Sequence, residues 1–84
     1  MTADDLFEYA CSYAKRAEDA GKGTQYPTVR QACKRFRVKI EDVESAVYDW
    51  NGDGYIGIAV GIRVGSGVGL HKSRGECQVE AYKD

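Results

Sequence analysis

Cations are the residues of this sequence whose spacing could most clearly do chemistry. Between residues 28 and 39 stand Arg30, Lys34, Arg35, Arg37 and Lys39, with no acid among them. Between 63 and 75 stand Arg63, Lys72, Arg74 and the single histidine, His71, again without an acid. Such runs suit a polyanion, because several fixed positive charges together release the counterions condensed on a phosphate backbone. Residues 40–50 reverse the sign, with Glu41, Asp42, Glu44 and Asp49 and no base. A carboxylate can accept from a cytosine amino group, but four of them repel phosphates. The other use of an acidic segment is to dock on a basic protein surface.

A second arrangement concerns a metal. Asp49-Trp50-Asn51-Gly52-Asp53-Gly54-Tyr55-Ile56 spells D-x-N-x-D-G-x-I and resembles the start of an EF-hand or dockerin calcium loop. Oxygen ligands fall at positions 1, 3 and 5, and Gly54 falls at the sharp turn. Position 12, however, is Val60, where a bidentate acid should close the site, and residues 58–64 are β-branched and glycine-studded rather than helical. The expectation is a helix end and turn leading into a strand. No metal and no other cofactor is expected.

The remaining reactive groups form no set. Cys11, Cys33 and Cys77 are widely spaced, match no zinc pattern, and read as small, half-buried thiols in a reducing compartment. Gly65-Ser66-Gly67-Val68-Gly69 lacks the Gly-Lys-Ser/Thr of a phosphate cradle and reads as a flexible tip. One histidine without a supporting motif supplies no nucleophile, base and acid together, so no enzyme is expected. Tyr9, Tyr13, Tyr48, Tyr55 and Trp50 are expected in or beside the core, with Tyr9 and Tyr13 also able to form a dimer surface.

These groups must be positioned by one small domain. The chain has 84 residues, 43% hydrophobic and 30% charged, with 12 Lys plus Arg against 13 Asp plus Glu. That is globular composition with a net charge of −1, which excludes a uniformly basic coat and a long acidic tail. A domain this size buries only about 60–65% of its unfolded surface, so contacts with DNA, a second copy or a partner should matter to its stability. No apolar run is long enough to span a membrane, and the start (Asp4, Asp5, Glu8) is unlike a secretory signal. A cytoplasmic location is expected.

Helices are predicted over 3–20, 28–36 and 40–50. In the first, Leu6, Ala10, Tyr13 and Ala17 recur at helical spacing beside Phe7, Cys11 and Ala14, with Thr2 as cap and Gly21 and Gly23 as terminators. In the second, Thr28 caps a stripe of Val29, Ala32, Cys33 and Phe36; in the third, Val43, Ala46, Val47 and Trp50 point inward. After Asn51 the texture changes, and eight of the ten glycines fall between Gly52 and Gly75. Strands are predicted over 55–64 and 76–82, joined by a flexible loop over 65–75. Three helices followed by a β-hairpin describe an α+β winged helix-turn-helix.

The run from Tyr26 to Val38 resembles the opening of the helix-turn-helix in GntR-type regulators. Pro27-Thr28-x-Arg30, the pair Ala32-Cys33, and Phe36-x-Val38 fall in that family's register. Val43, Ala46, Val47 and Trp50 follow its core spacing, and Gly54-Tyr55-Ile56 stands for the Gly-Leu-Ile that starts the wing. The resemblance covers residues 26–56. The departures are Lys39-Ile40 in place of Ser-Arg, Glu44 in place of a further Arg, and a longer glycine-rich wing tip; a protein without an effector domain is expected.

The resemblance implies a duplex-DNA-binding protein, a transcriptional regulator or accessory factor; a dimer on DNA is expected because one 84-residue module offers little interface for tight, specific binding. Arg30 takes the family's phosphate-contacting position, with Thr28 beside it. Lys34, Arg35, Arg37 and Lys39 would join the grip, and Arg63, Lys72 and Arg74 on the wing would hold the neighbouring backbone. Base reading falls to Lys39, Glu41, Asp42 and Ser45, and the remaining acids are expected to face away. The alternative is a protein-interaction module that uses its acidic third helix.

Overall fold

A computed structural model describes residues 1–59, 61–63, 69–71 and 73–83, with the backbone alone at 61–63 and 69–71. The chain is α+β, with three helices followed by antiparallel β-structure. Helix α1 spans Ala3–Asp19, α2 Val29–Phe36 and α3 Ile40–Tyr48. Strands β1 (Tyr55–Ala59), β2 (Gly61–Arg63), β3 (Gly69–His71) and β4 (Gln78–Tyr82) follow, with a 3-10 turn at Arg74–Glu76 before β4.

Local chemistry sets the helix ends. The Thr2 hydroxyl accepts from the Asp5 N–H (3.1 Å) while the Asp5 carboxylate accepts from the Thr2 N–H (3.0 Å). The bond from the Thr2 N–H, followed by the Thr2 hydroxyl beside the carboxylate, holds the Asp5 carboxyl below its ordinary range. Thr28 and Gln31 repeat the reciprocal pair at α2, at 3.0 and 2.8 Å. At its C-terminus α1 closes with the Lys22 N–H on the Ala17 carbonyl and the Gly21 N–H on the Glu18 carbonyl. Gly21 sits at φ +76°, the left-handed position this closure requires.

Helix α3 ends two residues short of the expected 50. Trp50 leaves the helix to stack on Phe7, with ring centroids 4.3 Å apart and planes 4° from parallel. Its indole N–H donates to the Gly54 carbonyl at 3.3 Å. Gly54 has φ +97°, and a Cβ there would lie 2.7 Å from the Tyr82 carbonyl oxygen. Any side chain would therefore strain the turn and push β4 away. The calcium-like run from Asp49 to Ile56 thus folds as the connection between α3 and β1, with Ile56 already in the core.

The second half departs from the expected two strands. Strand β1 pairs antiparallel with β4, placing Tyr55 opposite Tyr82, Ile56 opposite Ala81 and Ile58 opposite Val79. Strands β2 and β3 form a separate antiparallel pair, with Ile62 opposite Leu70. The predicted strand over 55–64 is therefore two strands. The predicted loop over 65–75 contains β3 and the start of the 3-10 turn, and its residues 65–68 and 72 lie outside those described. A ladder is made by backbone groups, so Gly69–His71 joins one without the side-chain alternation that sequence reading depends on.

A further pairing ties the two halves together. Thr28 bridges Gln78, the Val29 N–H donates to the Cys77 carbonyl (2.7 Å), and the Val79 N–H donates to the Pro27 carbonyl (2.8 Å). The segment before α2 therefore lies along the other edge of β4. The core forms where all these elements converge: Leu6 from α1, Val29 from α2, Val43 from α3 and Val79 from β4 are each at most 1% exposed. Ile56 and Ala81 close the inner sheet face, while Tyr55 and Tyr82 stack on the outer face at 5.1 Å.

Candidate nucleic-acid interface

Helix α2 buries Val29 and Ala32 and leaves its opposite face to solvent. Arg30 and Lys34, four residues apart, lie one turn above another on that face, and both are exposed. Arg35 points to the other flank. Its guanidinium carbon lies 5.2 Å from the centre of the Phe36 ring, and it lines a groove against α1 that also contains Asp5, Glu8 and Arg16. The structure thus divides the cations of α2 into two flanks, Arg30 with Lys34 and Arg35 apart.

Arg37 and Lys39 occupy the turn into α3. Arg37 is the only non-glycine residue with positive φ among the described residues (φ 56°, ψ 50°), and the Val38 N–H closes the helix on the Cys33 carbonyl. Glycine is the usual occupant of that position, because an L side chain there costs about 1–2 kcal/mol. Arg37→Gly should therefore raise stability by roughly 0.5–1 kcal/mol once the added freedom of the unfolded chain is set against the relieved strain. Urea denaturation followed by circular dichroism reads this directly.

Thr28 and Asp42 are committed locally. The Thr28 hydroxyl accepts from the Gln31 N–H and caps α2, which commits one of its two lone pairs to the helix. Asp42, expected to read bases, accepts from the Lys39 N–H at 2.9 Å and so holds the first turn of α3. With Asp49 it lies on the flank of α3 that faces Thr2 and Ala3 at the start of α1. Ser45 is exposed beside them.

The opposite flank of α3 carries Glu41, expected to read bases, and Glu44, expected to face away. Arg74, expected on the wing as a phosphate grip, instead forks onto Glu44, its Nε donating to Oε2 at 3.0 Å and its Nη2 donating to Oε1. The same Nη2 lies 3.5 Å from Glu41 Oε1. The hydrogen bonds from Arg74 hold the Glu44 carboxyl below its ordinary range, and Glu44 in turn holds the Arg74 guanidinium above its own. Arg30 lies next door, its Nη2 only 2.7 Å from where a Cβ on Gly75 would stand. The side chains of Arg63 and Lys72 lie outside the described residues.

Tyr48 is the residue sequence reading misplaced. It is 91% exposed, on the solvent ridge of α3 formed with Glu41 and Ser45. The signal was available, because positions 41, 45 and 48 recur at helical spacing opposite Val43 and Ala46. Tyr55 and Tyr82 are also exposed, whereas Tyr9 packs edge-on against both Tyr13 and Phe36.

Cys11 and Cys33 are half-buried thiols. Burial pushes the thiols of Cys11 and Cys33 above their ordinary range, which keeps them neutral, and buried Cys77 donates to the Ser73 carbonyl at 3.4 Å. Among the described residues no helix is long and apolar enough to cross a membrane. No protein-family model, curated protein or solved structure matches this chain.

Proposed function

We propose that this protein is a winged helix-turn-helix module that binds duplex DNA and serves as a transcriptional regulator or accessory factor. The reading places α3 toward the major groove, α2 and its turn on the flanking phosphates, and β2–β3 as the wing. The order of three helices and antiparallel strands, with residues 27–28 along β4, supports that layout. One observation carries the DNA assignment. Arg30, Lys34, Arg37 and Lys39 are all exposed beside α3, and among the described residues none of them is paired with an acid. Cations left unneutralised next to a protruding helix suit a phosphate backbone.

The test is fluorescence anisotropy with a labelled mixed-sequence duplex over a series of salt concentrations. Five to seven phosphate contacts give a log–log slope of roughly −4 to −6. Amide shifts over 28–39 that fade as salt rises would localise the contact. A flat response at low salt sinks the reading.

A second reading uses α3 to dock on a basic protein surface. Tyr48, 91% exposed on the acidic helix, is the observation that favours it, since exposed aromatics anchor protein interfaces. Under this reading a bound partner is retained when Arg30 and Lys34 are reversed in charge. A duplex would be lost.

A further inference from the structure

The third helix poses an electrostatic difficulty for a groove-binding role. It carries Glu41, Asp42, Glu44 and Asp49 and no base. Carboxylates brought within a Debye length of phosphates, about 8–10 Å at moderate salt, would be repelled by them. Asp42 is turned toward the start of α1 and engaged with the Lys39 N–H. Glu41 and Glu44 lie on the other flank, and there one guanidinium meets both.

We propose that Arg74 is a positioning residue for DNA binding, a built-in counter-ion that offsets one of the two charges of Glu41 and Glu44 and braces the 74–76 turn against α3, rather than a phosphate contact. The inference rests on the DNA-binding reading and names how its central helix is made compatible with a polyanion. Arg74 is well placed for this role because its turn is anchored independently of α3. The Glu76 N–H donates to the Ser73 carbonyl (3.0 Å), and the Cys77 carbonyl accepts from the Val29 N–H at the start of α2. The side chain therefore reaches across from a fixed base.

The geometry also specifies arginine. Two nitrogens fork onto the two oxygens of Glu44 while one of them faces Glu41, an arrangement a lysine ammonium cannot reproduce. Arg30, against Gly75 in the same turn, has no acid partner among the described residues. The two neighbouring guanidiniums thus divide the work. Arg74 offsets part of the charge of α3, and Arg30 is left for phosphate.

Duplex affinity by anisotropy tests the assignment in two backgrounds, each variant first checked for an unchanged amide spectrum. Arg74→Gln should weaken binding about tenfold in the wild-type chain, because two carboxylates are unmasked beside the phosphates. In a Glu41→Gln, Glu44→Gln background the same change should alter affinity less than about twofold, since nothing remains to be masked. Arg74→Lys should recover only part of the loss. An equal cost in both backgrounds would make Arg74 a direct phosphate contact and overturn the proposal while leaving DNA binding intact. No cost in either background overturns it equally.

A measurement without DNA separates the two ideas further. Carbon-detected titration of the side-chain carboxyls should place the Glu44 midpoint below that of an exposed glutamate, and Arg74→Gln should raise it. An unchanged midpoint shows the pair absent in solution and ends the proposal. Failure of the wild-type protein to bind any duplex would remove the DNA reading and the counter-ion role with it.

Discussion

Leu6→Ala should leave a large fraction of the protein unfolded at 37 °C. Leu6 is fully buried and packs in the cluster that Val29, Val43 and Val79 complete from three other elements. Removing its side chain costs about 2–5 kcal/mol, with the upper part of that range applying where the surroundings cannot collapse into the space. Here they cannot collapse easily, because α2 is tied to β4 through the Val29 and Val79 N–H bonds and α1 is capped at both ends. A domain of this size has only roughly 4–13 kcal/mol to lose. Urea denaturation should show the midpoint fall sharply with an unchanged slope. Tyr48→Ala, at a site 91% exposed, is the control and should move the midpoint by less than about 0.5 kcal/mol equivalent.

The second large effect concerns binding. Arg30→Glu combined with Lys34→Glu should lower duplex affinity by more than about 100-fold near physiological salt, and should make the salt slope shallower by about two. Each change removes a cation from the exposed face of α2 and adds an anion that repels the same phosphate, so the loss exceeds that of truncation. Arg35→Glu should cost less than about fivefold, because its guanidinium lies over Phe36 on the flank that faces Asp5 and Glu8. The difference between flanks is the informative part. Equal losses would mean that net charge alone governs binding, and intact affinity in the double variant would remove the phosphate grip from α2.

Much of the helical half was legible because its determinants are local. Helical spacing of Leu6, Ala10 and Ala17 marks the buried face of α1, and Thr2 and Thr28 cap helices through hydrogen bonds spanning three residues. Such interactions reach no farther than one turn, so the order of residues writes them directly. Trp50 shows where that stops. It continues the helical spacing of Val43, Ala46 and Val47, yet it leaves α3, because stacking on Phe7 and bonding to the Gly54 carbonyl compete with one more helical turn.

The candidate site divides along the same line. The acid-free run from Arg30 to Lys39 and the acidic run of α3 are properties of the sequence, and so is the ridge that exposes Tyr48. Which cation stays free was not legible. Arg30 and Arg74 look alike as basic residues, but Arg74 is carried to Glu44, 30 positions away, by a turn whose place depends on the bonds between β4 and the segment before α2.

The existence of three helices, the caps at Thr2 and Thr28, the apolar stripes and the partition of charge could be read from residue order, because those depend on neighbours within a few residues. Packing placed residues 27–28 along β4, paired β2 with β3, and brought Arg74 onto Glu44 of the helix it was expected to flank. Backbone ladders and ion pairs between distant segments leave no periodic trace in the chain, and they exist only once the core has set the elements side by side.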